Sequence, residues 1–276
     1  MKSVLKPSKM ASEELQFRLN ELLKTAKTGS LSNPKRKALE LEIKSIIQGL
    51  NSALDSLDPI KQPASIFDPS NPKIIGRFVA LALVAQDKKL LVEVPRFYGS
   101  GVYAIYYTGK FDLYASLAKS ETPIYVGQAA PSISNARTPT EQGAKLYTRL
   151  NEHKKNISKS ATLDIDDFQF RSLVVQSGWE TAAEDYLIHM FKPIWNNETS
   201  ILYGLGKHGD AAETRANKRS PWDTLHPGRN WAKGTTEDAK SVSTITAELK
   251  THFSNQPAFQ TLADIISTFI SELRQS

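Results

Sequence analysis

The sequence contains no cysteine. Disulfides, thiolate nucleophiles and sulfur-based zinc sites are therefore excluded, and any chemistry falls to tyrosine, histidine, arginine, lysine and the carboxylates. No apolar run approaches the roughly 20 residues that span a bilayer, and the start MKSVLKPSKM lacks the long apolar stretch of a signal peptide. A cytoplasmic location without a membrane partner is expected. Several familiar catalytic layouts are missing too. The five histidines form no His-Glu-x-x-His run, and Gly99-Ser100-Gly101 is no nucleophile elbow. Gly204-Leu205-Gly206-Lys207 lacks phosphate-loop spacing, with His208 where a Ser or Thr should stand.

What the chain does carry is positive charge. Lys and Arg number 35 against 29 Asp and Glu, a formal net charge of +6, and the isoelectric point is about 9.3. Such a balance suits a polyanion, because Lys and Arg neutralise phosphates and release counterions. The 276 residues allow one large domain with an extension, or two modest domains.

Hydrophobic periodicity divides the chain. Leu15, Leu19, Leu22 and Leu23, then Leu39, Ile43, Ile46, Ile47, Leu50 and Leu54, recur at helix spacing on either side of Gly29-Ser30-Leu31-Ser32-Asn33-Pro34. Residues 1–60 thus read as a helical hairpin, either a stabilising extension or an oligomerisation element. Residues 61–94 read as a linker leading into a buried helix: Asp58 to Pro72 carries four prolines, and Asn71-Pro72 offers an N-cap and a first-turn proline for a helix from Ile74 to about Gln86.

A compact core spans residues 95–200. Val102 to Thr108, Pro123 to Gln128 and Phe168 to Gln176 are expected strands of one small sheet. Gly143 to about Ser160 and Thr181 to Phe191 are expected helices, the second ended by Pro193. Residues 201–276 form a basic region without clear periodicity and a last helix from Thr261 to Arg274. The fold class is α+β: a small central mixed or antiparallel sheet flanked by helices, with a helical N-terminal extension.

Gly101-Val102-Tyr103 lies on one expected strand and Tyr125-Val126-Gly127 on the next. Arg149 and His153 follow, four residues apart on one helix face bordering Leu146, Leu150 and Ile157. A cation and an imidazole there need a cleft or a partner. Glu184 stands on an otherwise apolar helix with Asp185 as its outward neighbour, and Asn196 closes Lys192-Pro193-Ile194-Trp195-Asn196.

In this order of residues the chain resembles the GIY-YIG nuclease superfamily. Gly101 to Gly109, Pro123 to Gly127, Lys192 to Asn196 and Trp222-Asp223-Thr224-Leu225-His226-Pro227-Gly228-Arg229 are similar to the subgroup of type II restriction endonucleases that cut CCGCGG. His153 and the insertion from Lys110 to Thr122 fit that subgroup. The resemblance implies a prokaryotic enzyme that hydrolyses phosphodiesters of double-stranded DNA at a short G·C-rich palindrome.

It also implies roles. Tyr103 helps to activate water with His153 as proton acceptor, Tyr125 holds the phosphate or the water, and Arg149 neutralises the scissile phosphate. Glu184 binds Mg²⁺, for which Mn²⁺ can substitute, and Asn196 fixes the turn. A homodimer would present one site to each strand, with a tetramer open to it through the N-terminal helices. Lys207, His208, Arg215, Lys218, Arg219 and Arg229 form a basic segment expected to contact DNA. The alternatives are a homing or repair nuclease on the same module and a catalytically inactive DNA-binding protein.

Overall fold

The computed structural model describes residues 9–27, 33–57, 60, 68, 70–206 and 218–274. It divides into two units, Met1–Ser65 and Ile66–Ser276.

The first unit contains helices α1 (Lys9–Lys27) and α2 (Asn33–Leu57). Their apolar residues follow the expected spacing, yet much of that surface stays open. Leu15, Leu19 and Leu23 are exposed on α1, and Leu41, Ile47, Leu50 and Leu54 on α2. Most of the expected proline-rich linker lies outside the described residues.

The second unit comprises α3 (Pro72–Val84), β1 (Lys89–Leu90), β2 (Gly101–Tyr107), β3 (Tyr125–Ala129), α4 (Pro139–Gln142), α5 (Lys145–Ile157), β4 (Phe168–Val174), α6 (Glu180–Phe191), α7 (Pro221–Leu225), α8 (Asn230–Lys233), α9 (Val242–Asn255) and α10 (Leu262–Arg274). The Asn71 side chain accepts from the Lys73 amide and Pro72 opens α3, as the Asn-Pro pair predicts. The strands form one sheet in the order β1-β4-β2-β3, antiparallel at every pairing. Two-residue β1 carries too few residues to show any period, and it escapes a sequence reading.

Every residue of β2 is buried, because its two faces meet two different layers. Strand alternation sends Val102, Ala104 and Tyr106 toward α3 and α6, where Leu83, Ala183, Leu187 and Phe191 pack. Tyr103, Ile105 and Tyr107 face the other way, toward Leu146, Leu150 and Ile157 of α5 and toward Trp195 and Trp222. Both faces are thereby covered in an antiparallel sheet. Helix α9, which the sequence reading overlooks, adds Ile245 and Leu249 to this second layer. Its apolar positions Val242, Ile245, Leu249 and Phe253 do carry a helical period.

The C-terminal region closes on a buried polar cluster. The Arg229 guanidinium donates to Asp223 through Nε (2.6 Å) and Nη2 (2.6 Å), and to the carbonyls of Leu205 (3.1 Å) and Gly204 (2.7 Å). It stacks 4.6 Å from the centre of the Trp222 ring. Beside it His226 meets the Tyr114 hydroxyl through Nε2 and Thr162 Oγ1 through Nδ1 at 2.7 Å, and Trp195 Nε1 donates to the same Tyr114 hydroxyl at 3.0 Å. The Trp222 to Arg229 motif is therefore a fastener that ties the C-terminal segment to the sheet.

Candidate active site

The two tyrosine tripeptides have a steric basis. Gly101 takes φ +148°, and a Cβ there would fall 2.1 Å from the Leu173 carbonyl oxygen. Gly127 pairs with Tyr103 across the β2/β3 ladder. A Cβ at Gly127 would lie 2.5 Å from the Tyr103 hydroxyl, so the bare glycine lets that ring lie across β3. Only Gly meets either requirement without displacing backbone or ring.

Helix α5 brings its imidazole to the same place. The Tyr103 hydroxyl lies 2.7 Å from His153 Nε2. The Tyr125 ring completes the group, centred 4.7 Å from His153 and 6.1 Å from Tyr103. Tyr103 and His153 are buried, and His153 Nδ1 has no hydrogen-bond partner among the described residues. Burial, aided by the neighbouring Arg149 charge, pushes the His153 pKa down to about 3 and so keeps the ring neutral. Burial first and Tyr125 second raise the Tyr103 hydroxyl well above its ordinary range, opposed by Arg149.

Arg149 lies between this cluster and solvent. Its Nη1 pairs with Glu152 at 2.8 Å, with both side chains about a third or more exposed. Exposed pairs of this kind contribute about 0.2–1 kcal/mol, so an arriving phosphate can take the place of Glu152 at little cost.

Glu184 and Asn196 approach from the other side, around the open edge of β3. The Asn196 amide acts there as a substitute peptide: Val126 N donates to Oδ1 at 3.0 Å, and Nδ2 donates to the Val126 carbonyl at 2.9 Å. Two residues on, where the strand period repeats, Gln128 offers its backbone and side-chain amides to the Glu184 carboxylate. Gln128 also donates to Thr181, one turn before Glu184, at 3.2 Å.

Glu184 is half-buried and Asp185 exposed. Burial raises the Glu184 pKa to about 7; Gln128 opposes the shift, while Glu198 and Asp185 add to it. Its charge is thus poorly compensated by the protein alone, a setting that a cation would relieve. Among the described residues no three acidic or histidine side chains cluster as a ligand set. A single carboxylate suits a hard ion that keeps most of its own waters. Sequence reading does not single out Gln128 or Glu198. The alternation that places Tyr125 and Gly127 with one set of groups and Val126 with the other also places Gln128 on the edge.

Part of the basic segment has a different role from the expected one. Arg229 is a correction: four of its five N–H groups are engaged inside the protein, leaving no edge for a base or phosphate. Lys218 pairs with Glu237 at 3.1 Å and Arg219 with Asp238 at 3.2 Å. Arg219 also donates to the Thr235 carbonyl. Lys207, His208 and Arg215 lie outside the described residues. An apolar hollow of about 540 Å³ between α3 and β4, lined by Ile74, Phe78, Val174 and Trp179 among others, holds none of the reactive side chains.

The buried histidines make acid stability a test of this geometry. His226, like His153, has its pKa pushed by burial down to about 3. Between about 6.5 and 3 the unfolded chain takes up two protons that the folded chain refuses, so stability falls as pH falls. Glu184 works in the opposite sense between about 7 and 4.5, where the folded chain holds the extra proton. The expected result is a shallow loss from pH 6.5 to 4.5 and a steeper one below, followed by urea midpoints. The His153 and His226 ring protons should keep constant NMR shifts from pH 7.5 to 5; midpoints near 6.5 would show that the rings are open to solvent.

Residues 95–253 match the family model described as the Eco29kI GIY-YIG domain. This segment is more than half of the chain and holds all the residues of the site, and the protein belongs to that family of type II restriction endonucleases. It is accordingly a restriction-type nuclease acting on DNA. A search of curated proteins returns no match.

Proposed function

We propose that the protein hydrolyses both strands of double-stranded DNA at CCGCGG, as a homodimer with one Mg²⁺ per active site, Mn²⁺ being able to substitute. The observation that carries this reading is the convergence of Tyr103, Tyr125, Arg149, His153 and Glu184 around one edge of the sheet. The paired acceptors that each guanine presents in the major groove suit a basic protein, and a palindrome suits a two-fold dimer. The exposed leucines and isoleucines of α1 and α2 support subunit contact through the N-terminal helices, in a dimer or a tetramer.

In this mechanism Arg149 exchanges Glu152 for the scissile phosphate and neutralises it with its planar fork. Burial is the main cause of the low His153 pKa; the phosphate offsets the smaller part that the Arg149 charge adds, which makes His153 a better proton acceptor. Water attacks phosphorus in line with the departing oxygen, losing its proton to the Tyr103 and His153 pair. Tyr125 orients the water or a phosphate oxygen through its hydroxyl. Asn196 keeps β3, and with it Tyr125, in register. Glu184 would hold the metal, which supplies positive charge for the developing phosphorane and the leaving oxygen.

Digestion of unmethylated DNA of known sequence, with end mapping, tests this. Cuts confined to CCGCGG with Mg²⁺, abolished by EDTA, are expected. Cuts at sites lacking the hexamer would overturn the specificity. No cleavage under any divalent ion, with DNA binding retained, would favour a catalytically inactive binder.

A further inference from the structure

A cleft of about 210 Å³ opens at Arg149 and His153 and runs along the C-terminal half of α5, lined by Glu152, Lys155, Asn156, Lys159 and Gly206. From it we infer that Lys155 and Lys159 hold backbone phosphates of the DNA strand being cut, beside the scissile phosphate that Arg149 binds. The inference rests on the nuclease reading and extends it to how the strand is seated.

The first support is charge. Among the described residues the lining carries three cations, Arg149, Lys155 and Lys159, and one carboxylate, Glu152, which is already paired with Arg149. Lys155 and Lys159 are exposed and make no ion pair or side-chain hydrogen bond among the described residues. Three other lysines of the unit are engaged, Lys154 with the Val92 carbonyl, Lys88 with Glu121 and Lys240 with Glu248, so what distinguishes Lys155 and Lys159 is their place in the lining of the cleft. Two unengaged ammonium groups beside a reactive cluster are available to a polyanion.

The second support is spacing. Six residues separate Arg149 from Lys155, about 9 Å along the helix at 1.5 Å per residue. Nucleotides rise about 3.4 Å along the axis within one strand, so Lys155 stands on the order of two to three axial rises from the phosphate at Arg149, and Lys159, beyond the end of α5 at Ile157, further along the strand. The third is rigidity. Asn156 Nδ2 donates to the Leu205 carbonyl at 3.2 Å, fixing the Leu205-Gly206 wall to helix α5. The cleft is also smaller than the roughly 300–1,000 Å³ of small-molecule sites, and among the described residues no aromatic side chain other than the His153 ring lines it, so a bound nucleotide or drug-sized ligand fits poorly.

The test measures binding of the full-length protein to a short duplex lacking the target site, in EDTA, across a salt series. Phosphate contacts appear in the slope of log K against log salt, about 0.9 per contact. Lys155→Ala/Lys159→Ala should weaken binding by about tenfold or more at 0.1 M salt and reduce the slope by about 1.8. Lys155→Arg/Lys159→Arg should retain the wild-type slope, and Lys250→Ala, on α9, should leave it unchanged. An unaltered slope in the Ala variant would overturn the inference, as would an equal loss with Lys250→Ala, which would mean that net charge alone is felt. A stability change without a slope change would assign Lys155 to the helix terminus instead. Failure of the wild type to bind or cleave any duplex would instead strike at the nuclease reading itself.

Discussion

Glu184→Gln is expected to abolish Mg²⁺-dependent cleavage, by at least about a hundredfold, while DNA binding and the fold persist. The amide retains the shape and one oxygen that can accept from Gln128 but removes the charge on which a metal would be held. The loss equals at least about 2.7 kcal/mol of transition-state stabilisation, the scale for one preorganised electrostatic group. Stability should not fall. Burial already pushes the Glu184 pKa up to about 7, so its carboxylate is a burden in the metal-free protein. Single-turnover cleavage, Ca²⁺-supported binding and urea midpoints measured together decide the matter. Cleavage near the wild-type rate would remove Glu184 from the reaction, and a large drop in stability would recast it as structural.

Arg229→Met is expected to destabilise the fold by about 3–5 kcal/mol, because it leaves Asp223 buried and unmatched. The Gly204 carbonyl would also lose the donor that Arg229 supplies, and the Leu205 carbonyl one of its two, Asn156 remaining. Adding Asp223→Asn to Arg229→Met should recover part of the loss, since the uncompensated charge goes with it. Denaturant unfolding of the two variants gives both values. If Arg229→Met instead weakened DNA binding with stability within about 0.5 kcal/mol of wild type, the arginine would be a surface contact after all.

That arginine marks the boundary of sequence reading. In the one-dimensional pattern it belongs to a run of cations following the core, and charge alone gives no reason to separate it from Lys218 or Arg219. Its partner Asp223 is six residues away, but the carbonyls it caps, Gly204 and Leu205, are more than twenty residues away. Whether an arginine serves a polyanion or the interior depends on which segments fold over it, and no local propensity encodes that.

Local pattern determined the strands and helices that carry the site: short β-branched, aromatic and apolar runs marked β2, β3 and β4, and a four-residue spacing put Arg149 and His153 on one face. These are consequences of backbone geometry within a few residues. Only the tertiary structure decided the pairing order β1-β4-β2-β3, the meeting of Tyr103 with His153 fifty residues away, and the wrapping of Glu184 and Asn196 around the edge of β3. It likewise separated the engaged cations of the C-terminal region from Lys155 and Lys159, which line the cleft beside Arg149 without an ion pair among the described residues. The physical reason is that burial, which sets each pKa and frees or occupies each charge, is a property of all the layers packed around a residue and not of its neighbours in the chain.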